Sequence, residues 1–138
     1  MTEVQFDLQG GKLWATIVMK GLYRIYYRYS LWSMQENKPV VLTDPPFINN
    51  NISPHDDFVQ VRNDFSPNEA LSKYDGREVF VEFNIINTGD DNGYNIEVVI
   101  SQGNNYTTSV EIGKDHLEGD LGGSSSKDEF AIIKLKKQ

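Results

Sequence analysis

Residues 78 to 85 read Glu-Val-Phe-Val-Glu-Phe-Asn-Ile, so Val79, Val81, Phe83 and Ile85 fall on one side of an extended chain and Glu78, Glu82 and Asn84 on the other. A period of two suits a strand with one buried face and does not fit the 3.6-residue period of a helix. The pattern returns with Tyr94, Ile96, Val98 and Ile100 after the turn sequence NTGDDNG, and again with Tyr106, Thr108, Val110 and Ile112 after QGNN. These segments predict a three-strand antiparallel meander whose register is set by one apolar face.

Alternation recurs elsewhere, and strands are expected at 3–9, 12–19, 22–34, 39–43, 58–62, 78–88, 94–102, 105–113 and 129–136. Helical spacing is nowhere sustained beyond about two turns. SPNEALSKY, 66–74, is expected to form at most one short helical turn, because Ser66 and Glu69 have capping-box spacing. The prediction is an all-β fold: a two-sheet antiparallel β-sandwich of about nine short strands, immunoglobulin-like or jelly-roll-like. At 138 residues, with no repeat and no compositional boundary, 1–138 is expected to be one domain.

Two segments are expected to be long loops: 43–57, with three prolines and with Phe47 and Ile52 to pin it to the body, and 114–129, whose GGSSS predicts mobility.

The densest aromatic stretch is YRIYYRYSLW, 23–32. Tyr23, Ile25, Tyr27, Tyr29 and Leu31 alternate with Arg24, Tyr26, Arg28, Ser30 and Trp32. The preceding strand separates Leu13, Ala15, Ile17 and Met19 from Lys12, Trp14, Thr16 and Val18. A hairpin through a three-residue loop at 19–21 would pair Val18 with Leu22, Thr16 with Arg24, Trp14 with Tyr26 and Lys12 with Arg28. It keeps all core residues on one face and leaves Trp14, Arg24, Tyr26, Arg28 and Trp32 on the other. Those five are the expected binding residues, since aromatic and arginine side chains dominate interface hot spots. A self-stacked outer face is the competing expectation.

Thirteen basic and twenty acidic residues give a net charge of −7. The charge is uneven: residues 1–43 carry five basic and three acidic groups, 44–129 five and seventeen, and 130–138 three and none. A phosphate backbone rewards a basic surface, so nucleic acid is not expected as a partner. There is no cysteine, which excludes disulfides, thiolate metal sites and a cysteine nucleophile. The opening MTEVQFDLQGGK lacks a basic segment followed by an apolar one, and LWATIVM is far short of a membrane span. The expectation is a soluble protein, cytoplasmic or released without a cleaved signal peptide.

Signals for chemistry are thin. His55 and His116 with Asp56 or Asp90 would make a two-histidine, one-carboxylate metal site, but their spacing matches no metal motif. Ser53 or Ser124 with His116 and Asp115 would make a hydrolytic triad, yet neither serine lies in a nucleophile elbow. Asp90, Asp91 and Asn92, with Asp56 and Asp57, offer oxygen ligands for calcium at loop tips, without a calcium-loop sequence and where turn chemistry already explains them. NYT, 105–107, has glycosylation spacing but follows no secretory signal. No catalytic residue, metal or cofactor is therefore expected.

The expected function is non-catalytic recognition of a protein partner, as part of a larger assembly or as an acidic inhibitor of immunity-protein type. The alternative is a sandwich of lectin or aegerolysin type that binds a carbohydrate or lipid headgroup. A metal-dependent enzyme is the third.

Overall fold

The computed structural model describes residues 2–20, 23–33, 38–42, 48–51, 60–64, 71–87 and 93–138, with side chains for 2–18, 71–86 and 93–138. Ten strands lie among the described residues: β1 (Thr2–Phe6), β2 (Leu13–Lys20), β3 (Tyr23–Ser33), β4 (Lys38–Leu42), β5 (Ile48–Asn51), β6 (Gln60–Asp64), β7 (Glu78–Asn87), β8 (Gly93–Gln102), β9 (Val110–Asp120) and β10 (Ser126–Lys137). The only helical elements among those residues are two 3-10 turns, Leu71–Tyr74 and Tyr106–Thr108, and no helix there is long and apolar enough to cross a membrane. The fold is all-β. Leu71–Tyr74 falls inside the segment expected to hold a helical turn, whereas Ser66 and Glu69 lie outside the described residues.

The strands form two sheets. One runs β1-β10-β7-β3-β4, with β5 pairing β3 alongside β4; the other runs β6-β2-β8-β9. All pairs are antiparallel except β1 with β10.

Alternation sorts residues to faces as expected. Leu13, Ala15 and Ile17 of β2, Val79, Val81 and Ile85 of β7, and Ile96, Val98 and Ile100 of β8 are fully buried, with Phe83 and Tyr94 nearly so. They join Val4 and Phe6 of β1 and Ala131, Ile133 and Leu135 of β10 in one apolar cluster drawing on both sheets. Val81→Ala and Val98→Ala should each lower stability by about 1 to 3 kcal/mol, as buried large-to-small changes do. A denaturation midpoint equal to the parent's for either variant would contradict its burial.

Neighbour relations differ from expectation in three places. β2 and β3 do not pair: β2 lies between β6 and β8, and β3 pairs with β7 on one side and with β4 and β5 on the other. β7 and β8 likewise belong to different sheets, so of the expected meander only the β8–β9 pair forms. Alternation dictates which face a strand buries, and a short connection serves equally well for a hairpin within a sheet or a crossing between sheets. The third correction concerns residues 105–129. Residues 106–108 form a 3-10 turn, Thr108 and Val110 are exposed, and the strand continues to Asp120, so most of the expected loop at 114–129 is β9 and β10. Only Ile112 of that expected core face packs against the cluster.

The inner positions of β9 explain why it reads as a loop. Opposite Ile100, Val98, Ile96 and Tyr94 stand Gly113, Asp115, Leu117 and Gly119. A Cβ on Gly113 would collide with the Val4 side chain, and one on Gly119 with the Tyr94 hydroxyl. Glycine is required where the edge strand of one sheet and a tyrosine of the other press on the β9 backbone. The expected loop at 43–57 contains β5; Phe47 and Ile52 lie outside the described residues.

Candidate functional site

On the outer face of the six-stranded sheet, β7 and β10 carry aromatic residues at positions where alternation calls for polar ones. Phe80 stands opposite Ile132, and Phe130, two residues earlier on β10, opposite Glu82. The two rings are diagonal neighbours and stack, with centroids 5.6 Å apart and planes 12° from parallel. Phe130 nevertheless keeps 58% of its surface exposed. Beside this stack, Asn84 Nδ2 donates to Asp128 Oδ1 at 2.8 Å.

The β3 register continues this face. Arg24, Tyr26, Arg28 and Trp32 stand opposite Ile86, Asn84, Glu82 and Glu78, while Ile25, Tyr27, Tyr29 and Leu31 stand opposite the core residues Ile85, Phe83, Val81 and Val79. Four of the five expected binding residues therefore occupy one row of the face that carries Phe80 and Phe130. The same register sets Arg28 opposite Glu82, Trp32 opposite Glu78 and Arg24 opposite Ile86, so acidic positions stand beside the basic ones.

Trp14 is not part of this row. It sits on β2, in the four-stranded sheet, opposite Ser101. Its indole N–H donates to the Gly103 carbonyl at 2.9 Å, its ring meets Tyr106 edge to face at 5.9 Å, and Lys12 Nζ lies 5.9 Å from the ring centre. Trp14 is thus fastened into its own sheet. Beside it, a groove of about 330 Å³ opens on the outer face of that sheet, with Val18 and Val99 among its apolar walls and Thr16, Tyr106, Ser109 and Glu111 among its polar ones.

At one end of the core, Tyr94 on β8 donates its hydroxyl to Glu129 Oε1 on β10 at 3.1 Å, and Lys127 lies 3.3 Å from the same carboxylate and 5.6 Å from the Tyr94 ring centre. The Tyr94 hydroxyl first, and Glu129 next, hold the Lys127 ammonium above the ordinary lysine range. This polar lid ties the two sheets together where the inner positions of β10 turn hydrophilic.

The hydrolytic arrangement does not assemble around His116. Its Nε2 lies 2.6 Å from Asn95 Oδ1, whereas Asp115 Oδ1 accepts from the His116 backbone N–H at 3.0 Å and from the Thr2 hydroxyl at 3.3 Å. Among the described residues no three His, Asp or Glu side chains gather as metal ligands. Ser53, His55, Asp56, Asp57, Asp90, Asp91 and Asn92 lie outside the described residues.

Phe80 and Phe130 are the residues that sequence reasoning missed, and the sequence does carry their signal. Phe80 falls between Glu78 and Glu82, and Phe130 follows Ser126 and Asp128 in its own alternate row. No family model, curated protein or solved structure matches the chain.

Proposed function

We propose that the protein is a non-catalytic binding module, a single-domain β-sandwich of immunoglobulin-like or jelly-roll-like build, that recognises a protein partner through the outer face of its six-stranded sheet. The observation that carries this reading is Phe130, a large aromatic left 58% exposed and stacked on Phe80, on β10 beyond the end of β1. An isolated exposed apolar residue needs no explanation, but a stacked pair adjoining a row of Arg24, Tyr26, Arg28 and Trp32 has the composition of an interface centre. With Glu82 opposite Arg28 and Glu78 opposite Trp32, recognition rests on aromatic contact with charge setting orientation, rather than on steering by a basic field. A fold whose two sheets share one apolar cluster suits an assembly component or an inhibitor.

The test is comparative capture with the tagged full chain. One partner should be retained by the parent and lost, by about 2 kcal/mol or more in affinity, with Phe130→Glu. Arg28→Glu should weaken the same partner, and because Phe130 is exposed its variant should keep the parent's melting temperature. Equal retention of every captured protein by the parent and a folded Phe130→Glu, Arg28→Glu double variant would overturn the reading.

A further inference from the structure

We propose that β9 joins edge to edge with the β9 of a second copy of this chain, antiparallel about Leu117, so that the two four-stranded sheets run on as one. This interface lies on the other sheet from Phe130 and does not rest on the reading of that face.

β9 is the edge strand of its sheet, and among the described residues it pairs with β8 alone. Every second backbone N–H and C=O along it therefore faces away from the sheet, the arrangement to which another strand adds. Its one irregularity falls opposite Ile100 and Ser101, and residues 113–120 run in unbroken register with β8. β1, the edge of the other sheet, lies over the inner side of β9, with Val4 against Gly113 and the Thr2 hydroxyl 3.3 Å from Asp115 Oδ1. It covers that side and leaves the outer row exposed, namely Lys114, His116, Glu118 and Asp120.

The order of charges in that row selects the partner. A two-fold axis normal to the sheet keeps outer row beside outer row. Passed through Leu117, it sets Lys114 opposite Asp120 of the copy and His116 opposite Glu118, so a basic side chain meets a carboxylate at every outer position of 114–120. Lys114 lies 3.7 Å from Glu97, and His116 Nε2 2.6 Å from Asn95 Oδ1, contacts with β8 that keep both side chains on this face. In the inner row Leu117 meets Leu117, and Asp115 meets Gly119, which has no side chain to oppose it. An inward-facing charge such as Asp115 keeps an edge from joining strands at random. Here its carboxylate is held within its own chain, by the Thr2 hydroxyl and the His116 N–H.

Other registers lose this match. A slip of two residues one way sets His116 opposite His116 and Asp115 against Leu117; the other way sets Glu118 opposite Glu118. Pairing over 114–120 is a small interface that leaves Val110 outside it, so a dissociation constant on the order of 100 μM is expected.

The experiment is sedimentation equilibrium of the purified full chain up to about 1 mM, with amide shifts followed over the same range. Dimers should form, the concentration-dependent shifts should concentrate at residues 113–120, and added salt should weaken association. Lys114→Glu, an exposed substitution that places a carboxylate opposite Asp120, should weaken it by at least about tenfold. Because the chain has no cysteine, register is read by oxidising a mixture of the Lys114→Cys and Asp120→Cys chains, which should bridge to each other and not to themselves. A chain that stays monomeric throughout would overturn the proposal. So would association that a folded Lys114→Glu variant leaves unchanged, shifts confined to other strands, or Lys114→Cys bridging to itself as readily as to Asp120→Cys.

Discussion

Phe6→Ala is expected to cost about 3 to 5 kcal/mol, the range for emptying a buried aromatic site. Phe6 has no exposed surface and is among the largest fully buried side chains. Its strand runs along the edge of the six-stranded sheet, parallel to Ile133–Lys137 of β10, and the Phe6 carbonyl accepts from Gln138 N–H at 2.9 Å. Val4, two residues earlier, fills the space left by Gly113 on the opposite sheet. Removing the Phe6 ring therefore opens the core where β1 joins the two sheets, and the rigid strands around it cannot collapse to refill the space. Urea denaturation with an unchanged slope gives the number. A loss below about 1 kcal/mol would mean that β1 does not seal the core.

The second large effect is polar. Gln102, at the end of β8, is 7% exposed, yet its side chain is fully engaged by the connection between β1 and β2. Its Oε1 accepts from Asp7 N–H at 2.9 Å, and its Nε2 donates to the carbonyls of Asp7 at 2.7 Å and Gly11 at 3.1 Å. Gly10 lies close enough to this amide that a Cβ there would collide with it. Gln102→Leu keeps approximate volume but removes three hydrogen bonds and leaves the Asp7 N–H and the Gly11 carbonyl without these partners, the Asp7 carbonyl keeping the Gly10 N–H, and is expected to cost about 2 to 4 kcal/mol. Hydrogen exchange at Asp7 and Gln9 should accelerate well before global unfolding, because the connection loses its tether while the core keeps its apolar contacts. If Gln102→Leu matches the parent in both stability and local exchange, the amide is not the clasp described here.

These two residues mark the limit of what sequence periodicity conveys. The faces of β2, β7 and β8 were legible because each strand is buried on one side only, and alternation records that burial directly. Gln102 was not legible, since a polar residue at a strand end reads as an ordinary transition to a turn; its importance comes from a backbone ninety-five residues away in sequence. Strand neighbours were hidden for a related reason: Ile17 satisfies the same pattern whether β2 pairs with β3 or, as found, with β6 and β8. β9 was hidden because its inner row is Gly113, Asp115, Leu117 and Gly119, a pattern set by close contact with Val4 and Tyr94 rather than by hydrophobicity.

The site was legible in part. Arg24, Tyr26, Arg28 and Trp32 follow from alternation within one strand, so they remain together however that strand pairs. Trp14 was joined to them only through an expected hairpin, and its place in the other sheet separates it. Phe80 and Phe130 became part of the face only once β7 was seen to lie between β3 and β10.

The claim that the six-stranded sheet presents the recognition face is tested most directly by photo-crosslinking in cells, with benzoylphenylalanine at position 130 and, in a parallel sample, at position 110. Both positions carry exposed apolar residues, Phe130 on the proposed face and Val110 at the start of β9 in the other sheet. The expected result is a discrete protein adduct from position 130 that disappears when Arg28→Glu is added, with none from position 110. A protein adduct from position 110 and none from position 130 would contradict the account.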